Sequence, residues 1–431
     1  MITDLTCDRQ AVTQRRLADG VQLTCITTSR FKTSAFSAAF VLPLGAQNAP
    51  FAILPPLLFG GTGSCPDPSA LGAALDGLYG ARVEPFVRKV GESLSLGFAA
   101  VGVDPSSVPA GEDPTARIAA LLCDLLCRPC LESGRFRADL AGRERNNLAD
   151  RIRALRDNPR AYAVRRAQEI MCRDEPFGAC EYGTLEGVDE LTPDLIWAAY
   201  EEVRRYAKVE LFYCGSAAPD AVAEAFQSGL DLPGGKPRYV PEIDVCRVNC
   251  KPRTVTEDMP VTQGKLTLGL RTGLTGADED YPALMLFCAA LGGYPGSRLF
   301  VHVREKLSLC YYASAALDKV KGLMMVASGI DNANYDEALG EILRQMDDLK
   351  AGGLGRDELE RARRTLIGQV RALGDSPLSL ENYWHRQAVA GFSVTPDALI
   401  EQLARVERGQ VMAAGRRVAL DLVYFMKGVG V

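Results

Sequence analysis

The chain has 431 residues, 47% of them apolar and 24% charged, with a mean hydropathy of −0.02. That length and composition fit two to four globular domains with real cores, and exclude a staple-dependent mini-fold, bulk disorder and a membrane-embedded chain. Lys and Arg number 49 against 54 Asp and Glu, a net charge of −5, so no surplus of positive charge exists to neutralise phosphates and nucleic acid is not an expected partner.

The 13 cysteines are an odd number in a long chain without the look of a disulfide module. The opening Met1-Ile2-Thr3-Asp4 has no basic stretch leading into an apolar one, and no Arg-rich presequence character follows. A reducing, cytoplasmic location is expected. The longest apolar runs, Phe51–Phe59 and Tyr281–Leu291, reach about half of the roughly 20 residues a bilayer needs, so they read as buried core and no membrane partner is expected.

In chain order, a strand-like run over Phe36–Leu44 is followed by an apolar helix over Phe51–Leu58 that closes on Gly60-Gly61. A helix over Leu71–Leu78 and a strand over Val83–Val90 come next. Asp104–Thr115 is a loop by its Pro, Gly and Asp content. A later helix ends in the words Arg153-Ala154-Leu155-Arg156-Asp157-Asn158-Pro159. Leu232–Pro260 is Pro-rich with little periodicity and reads as an extended linker.

Beyond the linker the pattern recurs as a strand over Leu266–Leu270, an apolar helix over Tyr281–Leu291, Gly292-Gly293, a helix over Arg298–Lys306 and a strand over Cys310–Ala315. The helix carrying Leu359, Ala362, Leu366, Val370 and Leu373 on one face ends in Arg371-Ala372-Leu373-Gly374-Asp375-Ser376-Pro377, 218 residues after its counterpart. So long a period indicates a duplicated α/β domain rather than a solenoid. The expected organisation is residues 1–230, a linker over 231–260, and a second domain over 261–431.

Chemical motifs are sparse. No phosphate-binding loop, dinucleotide fingerprint or nucleophile elbow is present. Both glycine pairs follow helices and read as C-caps. The two histidines, His302 and His385, sit in separate helical patterns and form no H-x-x-x-H or H-x-x-E-H, so they read as structural. Cys127-Arg128-Pro129-Cys130 lies where an apolar helix is ending, whereas a reactive thiolate is favoured at a helix start. Cys246 and Cys250 are the nearest candidates to complete a zinc site with it.

Ala52-Ile53-Leu54-Pro55-Pro56-Leu57-Leu58-Phe59-Gly60-Gly61-Thr62 resembles, position by position, the H-x-x-E-H-[ML]-x-F-x-G-T helix of the pitrilysin/insulinase (M16) peptidases. Leu57, Phe59, Gly61 and Thr62 match, but the two histidines and the glutamate of that family correspond to Ala52, Pro56 and Pro55. Glu144-Arg145-Asn146-Asn147-Leu148-Ala149-Asp150-Arg151-Ile152 is similar to the family's E-R-x-x-x-x-x-E-I segment and puts Arg151 at the third ligand. A permanent cation there repels Zn²⁺. Two prolines in mid-helix should also kink this helix or start it near Pro55.

The segment Gly292–Tyr311 resembles the family's G-G-x-x-x-S-R-L-F-x-x-V-R-E-K-x-x-L-x-Y motif. Carried over, its peptide-holding pair becomes Arg298 and Tyr311, a guanidinium that donates to carbonyls and a phenol that both donates and accepts. The resemblance spans nearly the whole chain and looks most like non-catalytic bacterial members, one group of which is named for association with elongation factor P aminopentanol modification.

The resemblance implies an α+β fold of two homologous halves, each a mostly antiparallel sheet backed by helices, enclosing a cavity. It implies a catalytically inactive subunit without metal or cofactor. Such a subunit pairs as a heterodimer with an active H-x-x-E-H paralogue and contributes peptide or unfolded-polypeptide binding through its C-terminal half. A stand-alone peptide-binding or scaffold protein is the alternative, and a thiol function at Cys127 and Cys130 is a third.

Overall fold

The computed structural model describes residues 11–233, 239, 245 and 251–430. Cys246 and Cys250, with much of the expected linker, lie outside the described residues. The first sheet contains β1 (Ala11–Ala18), β2 (Val21–Thr27), β3 (Thr33–Pro43), β4 (Arg82–Val90), β5 (Ser93–Val103) and β6 (Lys208–Gly215), in the order β1-β2-β6-β3-β5-β4. The second contains β7 (Arg253–Met259), β8 (Gly264–Arg271), β9 (Cys310–Asp318), β10 (Leu323–Ile330) and β11 (Ala419–Gly428), in the order β7-β11-β8-β10-β9.

Each sheet is antiparallel apart from one parallel pair, β2 with β6 and β7 with β11. Without β1 the two orders coincide strand for strand, so the duplication is repeated in the hydrogen-bond ladders. The two halves are homologous α+β folds.

The described residues form two compact units, each built from three stretches of chain. Of these residues, one unit takes in 11–152, 180–233, 239 and 374–391; the other takes in 153–179, 245, 251–373 and 392–430. The halves of the sequence therefore exchange a segment. Helix Pro159–Met171 packs on β8, β10 and β11 of the second sheet, and helix Pro377–Ala390 packs on β3, β4, β5 and β6 of the first. Both helices begin at the proline of the repeated phrase. Pro at the first helical position loses no intrahelical hydrogen bond. Asn158 caps the first, accepting at 3.1 Å from the Ala161 N–H.

In the second unit the exchanged helix buries Ala163, Ala167 and Met171 against Leu323, Met325, Leu422, Tyr424 and Met426. The opposite sheet face packs Leu266, Leu268, Val326 and Phe425 among helices. Coverage of both faces explains why β8 and β10 are buried along their whole length. Ion pairs tie the layers together: Arg166 of the exchanged helix donates to Glu257 on β7 at 2.8 Å, and the Tyr424 hydroxyl donates to the same carboxylate at 2.9 Å. Arg271 joins Asp421 at 2.9 Å and Glu175 at 2.5 Å, and Lys321 meets Glu175 at 2.7 Å.

In the first unit the exchanged helix buries Leu380 and Trp384 completely, together with two polar anchors. Glu381 accepts from Arg88 of β4 at 2.8 Å, and His385 Nε2 lies 2.8 Å from the Ser95 hydroxyl of β5. Burial pulls the His385 pKa down to about 4, against the opposing pull of Glu381, so the ring is neutral at pH 7. Both histidines read as structural; His385 is an internal anchor. Among the described residues no helix is long and apolar enough to cross a membrane.

Candidate functional site

The segment that resembles a zinc helix is two short helices, Ala49–Ala52 and Leu54–Leu58, joined at Ile53. The break follows from the sequence. Pro55 and Pro56 supply no N–H to continue the ladder, yet both are at home in the first turn of a new helix. Ala52 and Pro55 are buried and Pro56 half-buried. The first piece packs on helix Pro193–Tyr206 and the second on β4 and β5. None of the three side chains carries a lone pair for a metal or a group able to activate water.

Arg151, near the end of helix Ala138–Ala154, is exposed, with its guanidinium 5.6 Å from the centre of the Tyr182 ring. Two turns earlier, Glu144 is buried and accepts from Asn147 and Arg143, both at 3.0 Å. Among the described residues no group of three or more His, Cys, Asp and Glu side chains is arranged to hold a metal ion.

The matching half of the motif keeps a structural task. Thr62 is fully buried; its backbone N–H donates to the Cys65 carbonyl at 2.7 Å and its hydroxyl accepts from Cys65 N at 3.0 Å. The Gly63 N–H donates to Arg128 O at 2.9 Å and the Cys130 N–H to Gly61 O at 3.0 Å. The C-R-P-C segment thus serves as a backbone clamp on this loop. Burial pushes the Cys127 thiol above its ordinary pKa, so this thiol is not the low-pKa nucleophile that the third reading needs.

The glycine pairs need a fuller account than capping. Gly61 has φ +153°, and a Cβ on it would lie 2.5 Å from Pro66 O. Gly292 departs from helical geometry (φ −155°, ψ 20°), and a Cβ on it would come within 2.6 Å of the Ala315 N on β9. It lies within a π-helical winding over Ala289–Gly293, and a second such winding follows over Leu299–Lys306.

Arg298 opens the second of these windings and its side chain is largely spent within its own unit. It donates to Glu358 at 2.7 and 3.1 Å, to the Gly353 carbonyl at 2.5 Å, and to Asp348. Glu358 also accepts from the Gly355 N–H at the start of helix Arg356–Ala372. Arg298 therefore fixes the loop between that helix and helix Tyr335–Ala351. Tyr311, at the start of β9, is 63% exposed. β9 is an outer strand of its sheet, and its neighbour Tyr312 lies under the Arg160 guanidinium at 4.0 Å. Asp348 and Glu358, which complete the Arg298 clamp, carry no motif of their own; the Gly352-Gly353 break between their helices is the only sequence signal near them.

Residues 190–366 match the family described as the peptidase M16 inactive domain. The probable inactive metalloprotease YmfF of Bacillus subtilis (strain 168) is 29% identical over 412 residues, which cover 95% of this chain and 96% of that protein. A conserved protein from Enterococcus faecalis V583 has a similar structure, with a TM-score of 0.86 at 25% identity over 97% of this chain and 98% of that one. A peptidase M16 inactive domain from Pseudomonas fluorescens shares the fold, with a TM-score of 0.79 at 18% identity, again over 97% and 98% of the two chains. The chain is thus similar to M16 peptidase-like proteins along nearly its whole length, and residues 190–366 match their inactive domain.

Proposed function

We propose that this protein is a catalytically silent M16 subunit that acts in the cytoplasm by pairing with a zinc-bearing paralogue and presenting part of a peptide-binding surface. The observation that carries this reading is the site itself: Ala52, Pro55, Pro56 and Arg151 abolish metal chemistry while the duplicated fold around them is kept in full. A chain that retains the architecture without the chemistry has binding left to contribute. The outer strand β9 and the exposed phenol of Tyr311 at its start are the proposed contacts, since an extended peptide pairs with an outer strand through backbone hydrogen bonds. Arg298, carried over from the family motif as a peptide ligand, holds the loop over residues 352–355, so Tyr311 is the member of the pair left to meet peptide.

Purification of the tagged protein from its native cell, followed by peptide hydrolysis assays with any zinc-bearing M16 protein that accompanies it, tests the reading. A stable mixed complex whose hydrolysis depends on this subunit is expected, while the chain alone holds no stoichiometric zinc by elemental analysis. Absence of any M16 partner, with peptide still bound by the chain alone, would favour the scaffold alternative.

A further inference from the structure

A cavity of about 410 Å³ in the first unit lies apart from every motif above. Its walls come from the β1–β2 turn, the end of helix Pro193–Tyr206, the start of β6 and the end of helix Pro219–Gly229. Leu17, Val21, Val209 and Leu230 give it an apolar lining, and Arg204 and Arg205 stand side by side on its wall. The volume is that of an ordinary small-molecule site.

The two arginines are unequally engaged. Arg204 donates to the Asp231 carbonyl at 3.1 Å and meets Glu201 at 3.5 Å, but its Nε is buried and donates to no acceptor among the described residues. Its Nη1 and Nη2 each spend one N–H on these partners, which leaves N–H groups of the guanidinium for an incoming acceptor. Arg205 is exposed and makes no ion pair or hydrogen bond among the described residues. The one carboxylate on the wall, Asp19, is already paired with Arg16.

We infer that this cavity binds a carboxylate carried on a compact apolar group, with the carboxylate taken by Arg204 and Arg205 and the apolar part against Leu17, Val21, Val209 and Leu230. Two sources share this chemistry, a free short-chain acid and the C-terminal residue of a peptide.

Calorimetric titration of the full chain with hexanoate, N-acetyl-leucine and N-acetyl-leucine amide tests it. Saturable binding of at least one acid is expected, with no binding of the amide. Tighter binding of hexanoate indicates a free acid, and tighter binding of N-acetyl-leucine indicates a peptide terminus. Arg205→Ala, at an exposed position, should leave the melting temperature unchanged and weaken the acid by about tenfold, one lost charge-assisted contact. Arg204→Gln should weaken it as well. Failure of both acids to saturate, equal binding of the amide, or unchanged affinity in Arg205→Ala would overturn the inference.

Discussion

At the scale of single residues, Arg298 and Tyr311 divide a task that the motif assigns to both. Arg298 is bound to Glu358, Asp348 and a backbone carbonyl, so Arg298→Ala strands two carboxylates and should destabilise the protein by about 2 kcal/mol, read as a lower urea midpoint at constant slope. Tyr311→Ala removes a side chain that is mostly in solvent. It should leave stability within about 0.5 kcal/mol while raising KM for peptide in the reconstituted pair. His385 sets a pH dependence. An unfolded imidazole takes a proton near pH 6.5, and the buried one only near 4, so between these values the unfolded state binds more protons. Stability is therefore full above pH 6.5 and falls as pH drops through that window, by roughly a few kcal/mol. The groups around the ring are Glu381, Arg88, Arg386 and Lys208. A folded His385→Gln variant should show a flatter melting temperature between pH 6.5 and 4. The degenerate metal positions were legible from sequence because a motif fixes each of them by spacing. The partners of Arg298 were not, because they lie 50 and 60 residues away on helices whose packing no local pattern encodes.

At the scale of elements, the clearest correspondence between residues and structure is the break at Ile53, where missing proline N–H groups turn one expected helix into two. The glycine pairs went further than their pattern suggested. Gly292 sits against the backbone of β9, where no side chain can yield, so Gly292→Ala should cost about 1–3 kcal/mol, measurable by thermal denaturation. A helix-cap reading could not foresee this, since the strand that crowds Gly292 comes some twenty residues later. Strand and helix identities follow from periodicity with small shifts at their ends, except that the expected linker over 231–260 contains β7 (Arg253–Met259), which alternates in burial and pairs with β11. The strand at Phe36–Leu44 spans Thr33–Pro43, and the helix at Tyr281–Leu291 ends as an α-helix at Cys288 and continues as a π turn.

At the scale of the molecule, the duplication is written in sequence as a repeated phrase, while the exchange that begins at that phrase is not. An amphipathic helix records that it has a buried face but not which sheet covers it. Helix Pro377–Ala390 buries Leu380 and Trp384 in the first unit, so a fragment ending at residue 233 lacks part of its own core and should be insoluble or molten by near-ultraviolet circular dichroism. Co-expression with a fragment beginning at residue 245 should restore both units, and a chain nicked between those residues should stay together. The reciprocal exchange also couples the two cores thermodynamically. Melting either one turns into coil the chain at both ends of a helix that the other holds, so that helix loses its fixed ends and the surviving core is weakened with it. Calorimetry should then record one transition whose van't Hoff enthalpy approaches the calorimetric value, as though two folding units shared a single fate.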